Sequence, residues 1–91
     1  MDVSEIRKKV VAVLAGVAGI DENDEAKLAE ITDETTLDKD GIGFDSLDQV
    51  DAVMAVEEAF EVVFPEGESE NAKTVGAVVA MVEKALAEKA G

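Results

Sequence analysis

The stretch Gly43-Phe44-Asp45-Ser46-Leu47-Asp48-Gln49-Val50-Asp51-Ala52-Val53-Met54-Ala55-Val56-Glu57-Glu58-Ala59-Phe60 decides how this chain folds. Asp45 is a good helix N-cap, because a short carboxylate accepts from the free amides of the first turn. At about 100° per residue, Leu47, Val50 and Met54 fall on one stripe of the helix that follows. Val53, Val56, Phe60 and Val63, with Ala52 and Ala59, fall on a second stripe roughly 120–150° away. The second ends in an aromatic and reads as the core face. The first lies close to Asp51, Glu58 and Glu61, and carboxylates are seldom fully buried without partners. An apolar stripe ringed by acids suits a partner that brings apolar contacts and a basic rim. Periodicity alone leaves open a central helix buried on both sides.

Working outward, Pro65 stops this helix, which is expected over about Ser46 to Val62. Upstream, Asp40-Gly41-Ile42-Gly43 supplies two glycines where the backbone must bend sharply. A first helix is expected from about Val3 to Val17, with Ile6, Val10, Val13, Leu14 and Val17 on one face and Arg7, Lys8 and Lys9 on the other. Asp2 or Ser4 can cap it, and Gly16 and Gly19 end it. Between them runs a long polar connection from Ala18 to Phe44, anchored by Leu28, Ile31 and Leu37, with a short helical turn over Glu25–Ile31. The acidic piece Glu66–Asn71 is one or two turns at most. Thr74 caps a last helix that reaches about Lys89, with Val75, Val78, Val79, Val82 and Leu86 as its apolar face. No segment alternates as a strand does. The fold class is all-α: one domain, 1–91, a small bundle of three longer helices plus one short helix.

Composition narrows the chemistry. The 91 residues contain no cysteine and no histidine, so a thiolate nucleophile, a thiolate metal site and the commonest general base are all absent. An autonomous enzyme is therefore not expected. The acids outnumber the bases 22 to 8, a net charge of −14, which repels nucleic acid and anionic membranes and attracts basic partners. Met1–Val10 carries no signal-peptide hydrophobic run, and no apolar stretch approaches the ~18 residues of a membrane span. A soluble, monomeric, cytoplasmic protein without membrane insertion is expected.

The stretch from Asp38 to Gln49 tests a calcium reading, because Asp38-Lys39-Asp40-Gly41-Ile42-Gly43 is like the opening of an EF-hand loop. The fifth position is Ile42, which offers no side-chain oxygen. Asp45 stands where an apolar residue is expected, and Gln49 replaces the bidentate glutamate. No metal site is expected.

Gly43-Phe44-Asp45-Ser46-Leu47 and the acidic helix after it resemble the phosphopantetheine attachment site of acyl carrier proteins. The likeness continues through Val53-Met54-Ala55-Val56-Glu57-Glu58-Ala59-Phe60, Phe64-Pro65-Glu66 and Thr74-Val75-Gly76. It covers about half of the chain closely and the rest in outline. The resemblance implies an acyl-carrier-like bundle that is not an enzyme. It implies that a separate phosphopantetheinyl transferase moves 4'-phosphopantetheine from coenzyme A to Ser46, with Asp45 contacting that transferase. The arm's thiol then carries acyl intermediates as thioesters to fatty-acid or polyketide-type enzymes, which explains thioester chemistry without Cys or His. The resemblance also implies docking by Leu47, Asp48, Val50, Asp51, Met54, Glu57, Glu58 and Glu61 against basic patches on acyl-transfer, condensing and modifying enzymes. It implies an acyl pocket lined by Ala52, Val53, Val56, Phe60 and Val78, residues that also read as plain core.

Three departures point to a specialised carrier. Gly41 stands as an extra residue, Asp21–Ile31 is longer than usual, and Ala52 replaces a larger aliphatic side chain. Two other readings stay open: a peptidyl or aminoacyl carrier using the same arm, and an acidic helical interaction module that is never modified.

Overall fold

A computed structural model describes all residues except Met1, Glu22, Glu66, 68–71 and Gly91. Among the described residues four helices follow one another: α1 (Val3–Ala18), α2 (Glu25–Ala29), α3 (Ser46–Phe60) and α4 (Val75–Ala90). Among the described residues there is no strand, only one isolated antiparallel bridge between Thr36 and Thr74. The expected acidic piece Glu66–Asn71 lies outside the described residues apart from Gly67.

The helix ends are set by local chemistry. The Asp2 carboxylate accepts from the Glu5 amide at 2.9 Å, and Gly19 closes α1 in the left-handed conformation. Thr74 Oγ accepts from the Ala77 amide at 3.2 Å and so caps α4. α3 ends two residues earlier than its sequence predicts. Glu61 takes a left-handed C-cap, φ 54 and ψ 44, and its amide donates back to the Glu57 and Glu58 carbonyls. This break rotates the following residues off the helical wheel. Val62 turns inward and is buried, while Val63, expected in the core, is 83% exposed.

α1 is the helix against which both α3 and α4 pack most closely. Its Ile6, Val10 and Leu14 meet Ala52, Val56 and Phe60 of α3 and Val75, Val78, Val79 and Val82 of α4 in one buried cluster. Leu37, Phe44, Val62, Phe64 and Ala72 complete that cluster from the connections. Lys9 lies over the Phe60 ring at 5.0 Å from its centroid, a cation–π contact that ties α1 to the end of α3.

The long connection is locally ordered. Arg7 pairs with Asp33 at 2.8 Å, but both side chains are about half exposed, so the pair contributes at most about 1 kcal/mol. The backbone does more. Leu37 donates to the Lys73 carbonyl at 3.0 Å, Val75 to Thr35 at 2.9 Å and Gly76 to Asp33 at 2.9 Å, which straps the connection to the start of α4. Residues 36–44 then close a tight turn, with Ile42 donating to the Thr36 carbonyl and Phe44 to the Leu37 carbonyl, each at 2.8 Å. Gly41 is required here, because a Cβ would overlap the Thr36 carbonyl that accepts from Ile42. Gly41→Ala is expected to lower the unfolding free energy by about 1–3 kcal/mol, read from urea titrations of parent and variant. An unchanged midpoint would show that the turn does not hold Gly41 in this place.

Candidate functional site

The turn delivers the chain to Asp45 in extended conformation and starts α3 at Ser46. The Asp45 carboxylate accepts from the Asp48 amide at 2.8 Å, and the Asp48 carboxylate accepts from the Asp45 amide at 3.3 Å. This reciprocal capping box fixes the angle at which α3 begins. Gly43 precedes it at φ 99, a left-handed conformation that glycine adopts without strain. Ser46 is exposed, and its hydroxyl has no hydrogen-bond partner among the described residues. It projects from the first turn of a helix, where free amides and the positive end of the macrodipole favour an anion. An anionic group attached at Ser46 would therefore sit in a favourable field.

The two stripes of α3 separate in space. Leu47, Val50 and Met54 are exposed, at 76%, 57% and 57%, while Ala52 and Val56 are buried. The acids divide as well. Asp51, Glu58 and Glu61 are exposed. Asp48 and Glu57 are half-buried, and each carboxylate is already engaged with the backbone. Glu57 Oε2 accepts from the Phe64 amide at 2.7 Å, so this side chain fastens the segment after α3. Glu57 is thus a structural acid first, a role that its place beside Glu58 does not reveal.

A groove of about 350 Å³ starts at Ser46 and is lined by Gln49, Val50, Val53, Met54, Glu57, Leu37 and Ala72. Gln49 and Ala72 are contributions that the sequence reading lacks. Gln49 follows Ser46 by three residues and so shares its face, a legible signal. Ala72 and Leu37 come from distant segments and carry no such signal. Leu37, Val53 and Ala72 also border a crevice in the core, lined further by Leu14, Ala52, Val56, Phe64, Val78 and Met81. This crevice is closed, with about 0 Å³ open to water. Of the expected acyl-pocket residues, Ala52, Val53, Val56 and Val78 line it, whereas Phe60 does not. Phe60 is buried under Lys9 instead.

A larger hollow of about 500 Å³ lies in the long connection, walled by Lys27, Glu30, Glu34 and Asp40 among others, and no residue of α3 lines it. The Asp38 carboxylate in the calcium-like stretch accepts from the Thr36 hydroxyl at 2.9 Å and the Asp40 amide at 3.0 Å. It serves the turn. Among the described residues no three acids converge as metal ligands, and no helix is long and apolar enough to cross a membrane.

Comparison with known proteins agrees with this geometry. The family described as "Phosphopantetheine attachment site" matches residues 8–82. The acyl carrier protein of Amoebophilus asiaticus is 41% identical over 86 residues, which span 94% of this chain and 99% of that protein. The acyl carrier protein of Syntrophobacter fumaroxidans is 37% identical over 75 residues, spanning 82% and 84%. That of Exiguobacterium sibiricum is 43% identical over 60 residues, spanning 63% and 76%. A capped helix with a free serine at its first position, inside a family match that covers most of the chain, leads to one conclusion: the chain belongs to the phosphopantetheine-attachment family, the acyl carrier proteins, which are carriers and not enzymes.

Proposed function

We propose that Ser46 Oγ is the atom that receives 4'-phosphopantetheine, and that the chain carries acyl intermediates in the cytoplasm as a monomer. The observation that carries this reading is the unpartnered, exposed Ser46 hydroxyl at the start of α3 with a groove opening beside it. In the loading step Ser46 Oγ forms a bond to the phosphorus that bears the pantetheine. The pyrophosphate P–O bond of coenzyme A breaks, the nucleotide bisphosphate leaves, and the serine proton passes to the transferase. Bound there, the arm supplies a thiol that holds an acyl group as a thioester.

The protein's own residues do the rest. The amides of the first turn hold the phosphodiester charge, Asp45 and Asp48 keep the helix start rigid, and the apolar flank of Val50, Val53 and Met54 lies along the groove beside Gln49. An acyl chain enters the protein only where Leu37, Val53 and Ala72 border both groove and crevice. The Ala52, Val53, Val56 and Val78 lining must part to admit it, since the crevice is closed. Leu47, Val50 and Met54, with Asp51, Glu58 and Glu61, dock the transferase and the acyl-processing enzymes through basic rims around apolar hollows. Asp48 and Glu57 contribute charge to that face while holding backbone amides.

The experiment is intact-mass measurement after incubation with coenzyme A and a broad-specificity phosphopantetheinyl transferase, followed by enzymatic acylation. One arm per chain is expected. Hydroxylamine is expected to remove the acyl group and leave the arm. A folded chain that gains no mass would contradict the reading.

A further inference from the structure

Of the chain's three methionines, Met54 is set apart by where its sulfur lies. It is 57% exposed, on the same stripe as Leu47 and Val50. It also lines the groove that starts at Ser46, with Gln49, Val50 and Val53. Met81 is half-buried and packs against the core, where it lines the closed crevice. Met1 lies outside the described residues. Composition sharpens the contrast. Cysteine, histidine, tryptophan and tyrosine are all absent, so the methionine thioether is the chain's one readily oxidised kind of side chain.

Exposure alone decides little, since a surface methionine can serve simply as an adaptable contact. The surroundings select what reaches the sulfur. Asp51 and Glu58 are exposed, three residues before Met54 and four after it, the spacings that make neighbours on a helix surface. On a chain of net charge −14, these carboxylates repel anionic oxidants and leave neutral hydrogen peroxide unhindered. When a thioether gives its electron pair to a peroxide oxygen, the sulfur becomes positive. Two flanking carboxylates favour that charge.

The product changes what the stripe presents. A sulfoxide is polar, and its oxygen must give up water when a partner covers it, a cost that the thioether and the hydrocarbons of Leu47 and Val50 do not carry. Met54 lies about 12 Å along the helix axis from Ser46. An interface of standard size, about 800 Å² on each partner, covers that distance. An enzyme working at Ser46 Oγ therefore meets the Met54 side chain.

We propose that Met54 Sδ is a site of reversible oxidation by hydrogen peroxide, and that its sulfoxide hinders loading of the arm at Ser46. This rests on the carrier reading above and names a regulation of that site. In the step, an Sδ lone pair attacks one peroxide oxygen. The S–O bond forms as the O–O bond breaks, and the departing hydroxide takes the proton of the transferred oxygen and leaves as water. Sulfur is oxidised by two electrons and the peroxide is reduced by two. Methionine sulfoxide reductases, one for each epimer, draw two electrons from a dithiol, release the oxygen as water and return the thioether.

The test treats the full-length apo chain with hydrogen peroxide, removes the excess with catalase, and then measures loading by coenzyme A and a phosphopantetheinyl transferase. Peptide mass spectrometry is expected to find the added oxygen on Met54, with Met81 reacting about tenfold more slowly. The transferase KM for the oxidised chain is expected to rise about tenfold. The thermal midpoint is expected to stay at the parent value, because the side chain is exposed, and the two reductases together are expected to restore KM. Met54→Leu is compared with itself before and after peroxide, so its own loading rate cancels; no change is expected, although Met1 and Met81 remain. An unchanged KM with Met54 fully oxidised would overturn the proposal. So would an equal loss in Met54→Leu, or a lowered midpoint in the oxidised parent. A reduced parent that takes no arm would instead refute the carrier reading, and the oxidation rates of Met54 and Met81 are read without it.

Discussion

Ser46→Ala is expected to abolish phosphopantetheine loading and to leave the fold intact. The side chain is exposed and its hydroxyl bonds to nothing among the described residues, so its removal costs no contact. Asp45, not Ser46, supplies the N-cap, and its bond to the Asp48 amide at 2.8 Å survives the substitution. Alanine also has a higher intrinsic helix propensity than serine, so stability is expected within about 0.5 kcal/mol of the parent. Loading is expected to fall to nothing because alanine offers no oxygen at the start of α3 and the chain has no cysteine to serve in its place. Circular dichroism melting with intact-mass analysis reads both halves at once. Residual loading in the variant would place the acceptor elsewhere.

The second large effect falls on stability. Leu14→Ala is expected to cost about 3–5 kcal/mol, because Leu14 is 1% exposed on the helix that both α3 and α4 pack against. A chain of this length has about 5–14 kcal/mol in total, so the variant is marginal or unfolded at physiological temperature. Leu14 also lines the closed core crevice, and truncation leaves a void where α3 and α4 face each other. Chemical denaturation gives the number. A loss below about 1 kcal/mol would show that the crevice collapses around the smaller side chain.

The start of α3 was legible because its causes are local: a capping acid, a serine and a regular apolar stripe within a few residues. The same holds for the caps at Asp2 and Thr74 and for the core faces of α1 and α4. What the sequence hid depends on conformation or on distant partners. Val63 belongs to the core stripe only if the helix continues, and the left-handed turn at Glu61, a residue with no special preference for it, ends that continuation. Glu57 looks like a docking acid beside Glu58, but its carboxylate meets an amide seven residues on, where the chain has already turned back. Phe60 packs toward Lys9 and not toward the crevice, a matter of which neighbour lies over its ring. The groove beside Ser46 needs Leu37 and Ala72, which the strapped connection brings in from both sides. Gly41 looked like an insertion, and its reason is the carbonyl of Thr36 lying where a Cβ would go.

The central claim is that one oxygen, Ser46 Oγ, carries the arm. Tandem mass spectrometry of the loaded chain tests it most directly, by locating the added group along the sequence. The account predicts the full modification on the peptide that contains Ser46, with none on those containing Ser4 or Ser69. Modification at any other residue would contradict it.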